Sequence, residues 1–255
     1  MSTELVPFAQ AGALVNFDTY QGPTGLETVT QADLGTPRFT IVQDSSAFFK
    51  KTHAAYEEKK IEGCNPGDIV LPSTKQVIYT HGIDKGVYVV PTGYRTLFQE
   101  WKPRAAGGGF VTTHASPNIL SKCKEVDIEG RRKVVVIESG NEIVETKTFA
   151  VIAFVNGIWS PAIISMAGGN MSAAREWLNR ATSIRLPNGK QSPMFSHAYS
   201  IGTTLKRKNA NAWYAYSIQL AGPVNKQEVI DAAQAQAGVF EEAVATAGAS
   251  EDDSF

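Results

Sequence analysis

Between Tyr94 and Arg104 the chain sets flat rings beside cations: Tyr94-Arg95, Phe98, Trp101-Lys102 and Arg104, with Phe110 just past three glycines. Interleaved in this way, the two residue types suit an unpaired nucleic-acid strand. Cations track its phosphates and rings receive its bases, each stacked base contributing about 1–3 kcal/mol. Lys206-Arg207-Lys208 followed by Trp213, Tyr214 and Tyr216 repeats the combination, and Arg175, Trp177 and Arg180 repeat it at helical spacing. The competing use of any ring is core packing. Trp177, Trp159 and Phe154 have apolar neighbours and read as core, whereas Trp101, between Glu100 and Lys102, reads as surface. The candidate contact residues are therefore Tyr94, Arg95, Phe98, Trp101, Lys102, Arg104, Lys206, Arg207, Lys208, Trp213 and Tyr214. Arg131-Arg132-Lys133, following Glu129-Gly130, reads equally well as a solvated turn.

Catalytic signatures are missing from the sequence. Gly107-Gly108-Gly109 lacks the Lys-Ser/Thr that would complete a phosphate loop, and reads as a hinge. His53, His81, His114 and His197 show no pairing at one helical turn and no cysteine at ligand spacing. Cys64 and Cys123 stand far apart, as free thiols do in a reducing compartment. Glu57, Glu58, Glu125, Asp127 and Glu129 lie beside lysines or arginines and read as surface charge. The expectation is a protein that is not an enzyme and uses neither metal nor cofactor.

A net charge of −1 conceals a segregation. Residues 1–37 and 227–255 contain acids and no Lys or Arg, while all 24 basic residues fall in 38–226, giving that section a net +10. A basic body between acidic ends points to a polyanionic partner for the body and another task for the ends. No run approaches the ~18 apolar residues of a membrane span, and Met1 to Phe8 lacks the features of a signal peptide. The expectation is a soluble, intracellular protein.

The elements that must position the candidates read as short strands. Arg38 to Gln43, Asp68 to Leu71, Gln76 to Tyr79 and Val87 to Val90 form the first set, and Tyr94 to Phe110 reads as a flexible basic loop. Lys133 to Ile137, Glu142 to Val155 and Ile158 to Ser165 follow, the last two joined by Asn156-Gly157, a strong hairpin signal. Ser172 can cap a helix from Ala173 to Thr182, and the strands His197 to Leu205 and Trp213 to Leu220 flank a basic turn. The order β-β-β-α-β-β is that of an OB-fold-like Greek-key barrel, here with insertions. The division expected is an extended arm over 1–37, the barrel domain over 38–224, a C-terminal helix over 225–244 and a disordered acidic tail over 245–255. Phe240 and Val244 are candidates to continue that helix past Gly238.

The last five residues, Glu251-Asp252-Asp253-Ser254-Phe255, resemble the tail tip of bacterial and phage single-stranded DNA-binding proteins, where clustered acids precede a terminal phenylalanine. Together with Tyr94 to Arg104 and Gly107 to Phe110, the chain resembles the replication-associated single-stranded DNA-binding proteins of tailed bacteriophages. The resemblance implies an OB barrel that binds single-stranded DNA during replication and recombination in the cytoplasm of an infected bacterium. It also implies that Glu251, Asp252, Asp253 and Phe255 recruit a polymerase, primase-helicase or nuclease. Two other readings stand beside it: a virion structural protein, which has no reason to segregate charge in this way, and a single-strand annealing recombinase, which would form rings. A homo-oligomer is compatible with each.

Overall fold

A computed structural model describes residues 36–128 and 130–246, without the side chains of Arg104, Arg131 and residues 238–246. Most of the arm expected over 1–37 lies outside the described residues, as do the side chains of Phe240 and Val244 and the acidic tail beyond Thr246. In chain order the strands are β1 (Arg38–Ile41), β2 (Ile69–Leu71), β3 (Gln76–Tyr79), β4 (Val87–Trp101), β5 (Phe110–His114), β6 (Cys123–Ile128) and β7 (Arg131–Val136). They continue with β8 (Glu142–Val155), β9 (Ile158–Ala167), β10 (His197–Lys208) and β11 (Asn211–Pro223). The α-helices are α1 (Tyr56–Lys59), α2 (Met171–Ser183) and α3 (Gln227–Thr246).

The long strands β4 and β8 pair along nearly their whole length, from Tyr88 opposite Phe154 to Trp101 opposite Glu142. At about 3.3 Å per residue a strand of β4's length reaches roughly 50 Å, enough to serve two sheets. At the Val87 end the order is β11-β10-β4-β8-β9-β1-β2-β3; at the Trp101 end β5 joins β4, and β7 with β6 joins β8. The barrel order β-β-β-α-β-β is supplied by β4, β8, β9, α2, β10 and β11, in a mainly β, curled, OB-like sheet.

Three expectations about the strands need correction. The first barrel strand is β4; the stretch Lys133 to Ile137 falls largely in β7, inside the insertion between β4 and β8. The segment Tyr94 to Trp101 is strand and not loop, because β4 continues past Pro91. There the register shifts between Pro91 and Gly93, a bulge that suits a residue with no N–H to offer the ladder. The strand then hides both faces: Leu97, Phe98, Gln99 and Glu100 are all buried. Burial on both faces erases the alternation by which a strand is recognised in sequence. Finally, Lys206, Arg207 and Lys208 belong to β10, and the turn shrinks to Asn209 and Ala210, with Asn209 at φ +54°.

The barrel core is built from alternate residues of facing strands, including Val89, Phe149, Val151, Ile164, Met166, Tyr199, Ile201 and Ile218. Helix α2 closes one mouth with Trp177, fully buried, stacked on Phe149 at 4.3 Å and edge-on to Tyr199 at 5.6 Å. Trp177 is the core residue its neighbours suggested. The helix begins at Met171, so Ser172 lies within it, and the side chain of the preceding Asn170 instead accepts a hydrogen bond from the Tyr216 amide at 2.8 Å.

The seam of the barrel is made partly by side chains. Strand β1 lies parallel to β9. Beyond it, the Gln43 amide donates to the Tyr214 carbonyl at 2.8 Å and accepts from the Tyr214 N–H at 2.9 Å, while the Tyr216 hydroxyl donates to the Phe39 carbonyl. A primary amide offers the same donor and acceptor as a peptide group, so Gln43 extends the ladder by one rung toward β11. On the outside, Val229 and Ala233 of α3 cover Val90 and Ile152, and Thr92 hydrogen-bonds Gln236 at 3.2 Å. Among the described residues no helix is long and apolar enough to cross a membrane.

Candidate nucleic-acid interface

The two basic clusters singled out in the sequence stand at opposite ends of β4. Ile201 lies opposite Val87, and β10 continues from there to Lys208, away from the end of β4 that carries Trp101 and Lys102. The separation along the strands is on the order of tens of ångströms, so no single patch holds both.

At the Trp101 end, Trp101 meets Phe110 across the β4–β5 hairpin, edge to face at 5.5 Å. The chain reverses there through Gly107, Gly108 and Gly109, at φ +93°, +64° and +110°. The triple glycine is thus a tight reversal in the left-handed region, which side chains disfavour. Lys102 is exposed and its amide donates to the Gly109 carbonyl. Phe98 is only 6% exposed and packs with Val136 and Ile143 in the small core of the insertion, which removes it as a stacking surface. The Arg104 side chain lies outside the described residues.

Glu100 anchors this end. It accepts a hydrogen bond from Asn141 at 2.6 Å and meets His114 Nε2 at 2.8 Å. Desolvation pushes its carboxyl up, but the bonds to Asn141 and His114 outweigh it and hold the group below its ordinary value. Farther along β4, the Tyr94 ring leans on Phe149 at 5.2 Å, and Lys147 Nζ sits 5.9 Å from the ring centroid. Burial pulls the Lys147 ammonium down; hydrogen bonding to Glu145 and Tyr94 reverses this and leaves it raised. Arg95, half-buried, lies opposite Thr148.

At the other end, Lys206, Arg207 and Lys208 are exposed and are held by no ion pair among the described residues. Their aromatic companions serve the barrel. Tyr214 is gripped by Gln43, stands edge-on to His81 at 5.0 Å, and lies against Gly67, where a Cβ would come within 2.6 Å of its ring. Trp213 lies on Gly169 so closely that a Cβ there would fall 2.3 Å from the indole nitrogen. Tyr216 is buried. In the helical cluster, Arg180 is tied to Glu176 and Arg175 is exposed.

A third group of rings has no counterpart among the sequence candidates. Tyr88, Phe154 and Trp159 lie opposite one another across β4, β8 and β9. Residues directly opposite share a sheet face, and the Phe154 and Trp159 rings stand 5.1 Å apart. Tyr88 is 46% and Phe154 38% exposed, so the core reading of Phe154 fails, while Trp159 is half-buried and packs against the cluster of Val90, Ile152, Val229 and Ala233, as its core reading expected. The sequence did contain one signal. Asn156 and Gly157, at φ +52° and +82°, form the tight hairpin turn that forces Phe154 and Trp159 onto one face. It did not contain the other, since Ala153 and Phe154 are both apolar and alternation cannot tell which faces water.

Neither thiol is set up as a nucleophile. Cys64 donates to the Phe48 carbonyl and Cys123 to that of Ile119, and burial pushes both upward. Among the described residues no group of three or more His, Cys, Asp or Glu is placed to hold a metal ion. Glu251, Asp252, Asp253 and Phe255 lie outside the described residues.

Among known proteins, the family model described as Pam3 phage gp34-like protein matches residues 4–245. No curated protein and no solved structure matches the chain.

Proposed function

The chain belongs to the Pam3 phage gp34-like family, a bacteriophage family, and from that premise we propose that it binds single-stranded DNA without catalysis and with little regard to base sequence. The observation that carries the reading is the exposed Lys206-Arg207-Lys208 run at the tip of the β10–β11 hairpin of an OB-like sheet. In OB barrels the loop joining the last two strands is one of two that grip nucleic acid, and here the end of β10 that leads into that turn carries cations with no ion-pair partner among the described residues. The net +10 of residues 38–226 supports the same reading. The acidic, Phe-terminated tail then serves to recruit replication proteins, its terminal ring filling an apolar pocket and its acids meeting a basic rim. The site of action is the cytoplasm of the infected host.

Titration of the full chain with oligo-dT, followed by tryptophan fluorescence, tests this reading. Binding is expected to exceed that of a duplex of equal length, and to weaken with salt with a log–log slope of about −0.7 per phosphate neutralised. Equal affinity for duplex, or an association indifferent to salt, overturns it.

A further inference from the structure

Exposed apolar side chains are ordinary on a protein surface when scattered singly. Tyr88 and Phe154 are not scattered, and the half-buried Trp159 continues them. They occupy directly opposed positions on three adjacent strands and form one row across the sheet. We infer that this row is the platform on which unpaired bases stack, so that the bound strand crosses β4, β8 and β9 instead of lying on Trp101. The inference deepens the single-strand reading above and rests on it.

The borders of the row indicate its occupant. On one side α3 forms a wall, since the next outward-facing pair, Val90 and Ile152, is covered by Val229 and Ala233. At the β10 end of the row, the Ser200 hydroxyl, opposite Tyr88, donates to the Lys85 carbonyl at 3.1 Å, so the backbone of that exposed lysine lies beside the row. The approach is tight: Gly86 sits at φ +130°, and a Cβ there would fall 2.1 Å from the Ser200 hydroxyl oxygen. Beyond Ser200 the same strand leads to Lys206, Arg207 and Lys208. The result is a strip of rings lying across the strands, with Lys85 beside its β10 end and Lys206 to Lys208 farther along β10, on the side away from α3. Asp84, the acid next to Lys85, is engaged by the Thr80 amide.

Stacking selects an unpaired strand. In a duplex both faces of each base are covered by its neighbours, whereas an unpaired base has a face free to lie on a ring, and such stacking tolerates any base because every base has a π-face.

The test uses the full chain, oligo-dT, and an abasic deoxyribose-phosphate strand of the same length. The wild type should prefer oligo-dT. Tyr88→Ala and Phe154→Ala should each lower oligo-dT affinity by about five- to a hundredfold while leaving affinity for the abasic strand unchanged, and Phe154→Trp should restore the preference. Photocrosslinking of wild-type protein to a 5-iodouracil oligonucleotide provides a readout independent of variant folding, with adducts expected at Tyr88, Phe154 or Trp159. If folded variants bind oligo-dT as the wild type does, or adducts fall only at Trp101 and Phe110, the platform is misplaced although DNA binding stands. If the wild type binds neither strand, the single-strand reading fails and the platform fails with it.

Discussion

The two ends of β4 carry similar residue types and treat them in opposite ways. At the Trp101 end the rings turn to one another and inward: Trp101 against Phe110, Phe98 into the core of the insertion. The polar side chains there are matched as well, Glu100 with His114 and Asn141, and Lys133 with Glu142. At the Val87 end, Tyr88 and Phe154 face water, and Lys206, Arg207 and Lys208 have no opposing acid among the described residues. The Trp101 end turns its rings and its acids inward, although the Trp101 indole nitrogen is buried without a hydrogen-bond partner, and the Val87 end leaves Tyr88, Phe154 and its lysines open to solvent. Interleaving in sequence therefore identified residue types able to meet nucleic acid, while strand register decided which of them are still available to do so.

The largest expected effect separates the ends by exchanging stability for binding. Phe98→Ala empties a buried site and should cost about 3–5 kcal/mol, read as a lower denaturant midpoint, with the folded fraction still binding oligo-dT. Phe154→Ala, at an exposed site, should fall near the ±0.5 kcal/mol typical of surface changes and affect binding instead. The contrast between the ends collapses if Phe154→Ala proves the more destabilising of the two.

A smaller effect concerns charge. Replacing Lys206, Arg207 and Lys208 together by alanine should flatten the salt dependence of oligo-dT binding by about 2 in log–log slope, about 0.7 for each phosphate that is no longer neutralised. Lys102→Ala at the other end should change the slope by less than one such step. A full step of about 0.7 from Lys102→Ala would mean that the strand spans both ends.

The legible parts of this molecule are those where local chemistry and tertiary structure agree. Asn156-Gly157 marked the β8–β9 hairpin because two consecutive left-handed residues have few other uses. Trp177 read as core from its alanine and leucine neighbours, and the order of β8, β9, α2, β10 and β11 pointed to the barrel. What was hidden depended on distant partners. Gln99 and Glu100 looked like solvent-facing residues, yet they are buried because Thr146, Asn141 and His114 meet them from elsewhere in the chain. Trp213 and Tyr214 looked free beside their lysines, but Gly169 and Gly67 make room for them against the barrel. The place of β1 beside β9, with the Gln43 side chain reaching Tyr214 of β11 across the seam, has no local signature at all.

The smallest expected effect tests whether the Trp101 end is held by its own charges. The Glu100 carboxyl is held below its ordinary value in the folded chain, whereas in the unfolded chain it takes up its proton near pH ~4.3. A group with a depressed folded value contributes stability that is fully present above the unfolded value and is lost as the pH falls through the folded one. The wild type should therefore lose stability below about pH 4.3 more steeply than Glu100→Gln, which keeps the shape of the side chain and cannot titrate. Comparing denaturant midpoints of the two at pH 7 and at successive steps below pH ~4.3 isolates this contribution from that of the other carboxylates, which both proteins share. Hydrogen exchange should place the loss in β5, since Glu100 lies opposite Thr112 and binds His114. Oligo-dT binding by the folded fraction of Glu100→Gln should stay unchanged, because the carboxylate secures a hairpin at the end of β4 away from the exposed rings. Parallel pH curves for the two proteins would show that Glu100 is not the anchor, and a loss of DNA binding in the folded variant would show that the two ends of β4 are coupled.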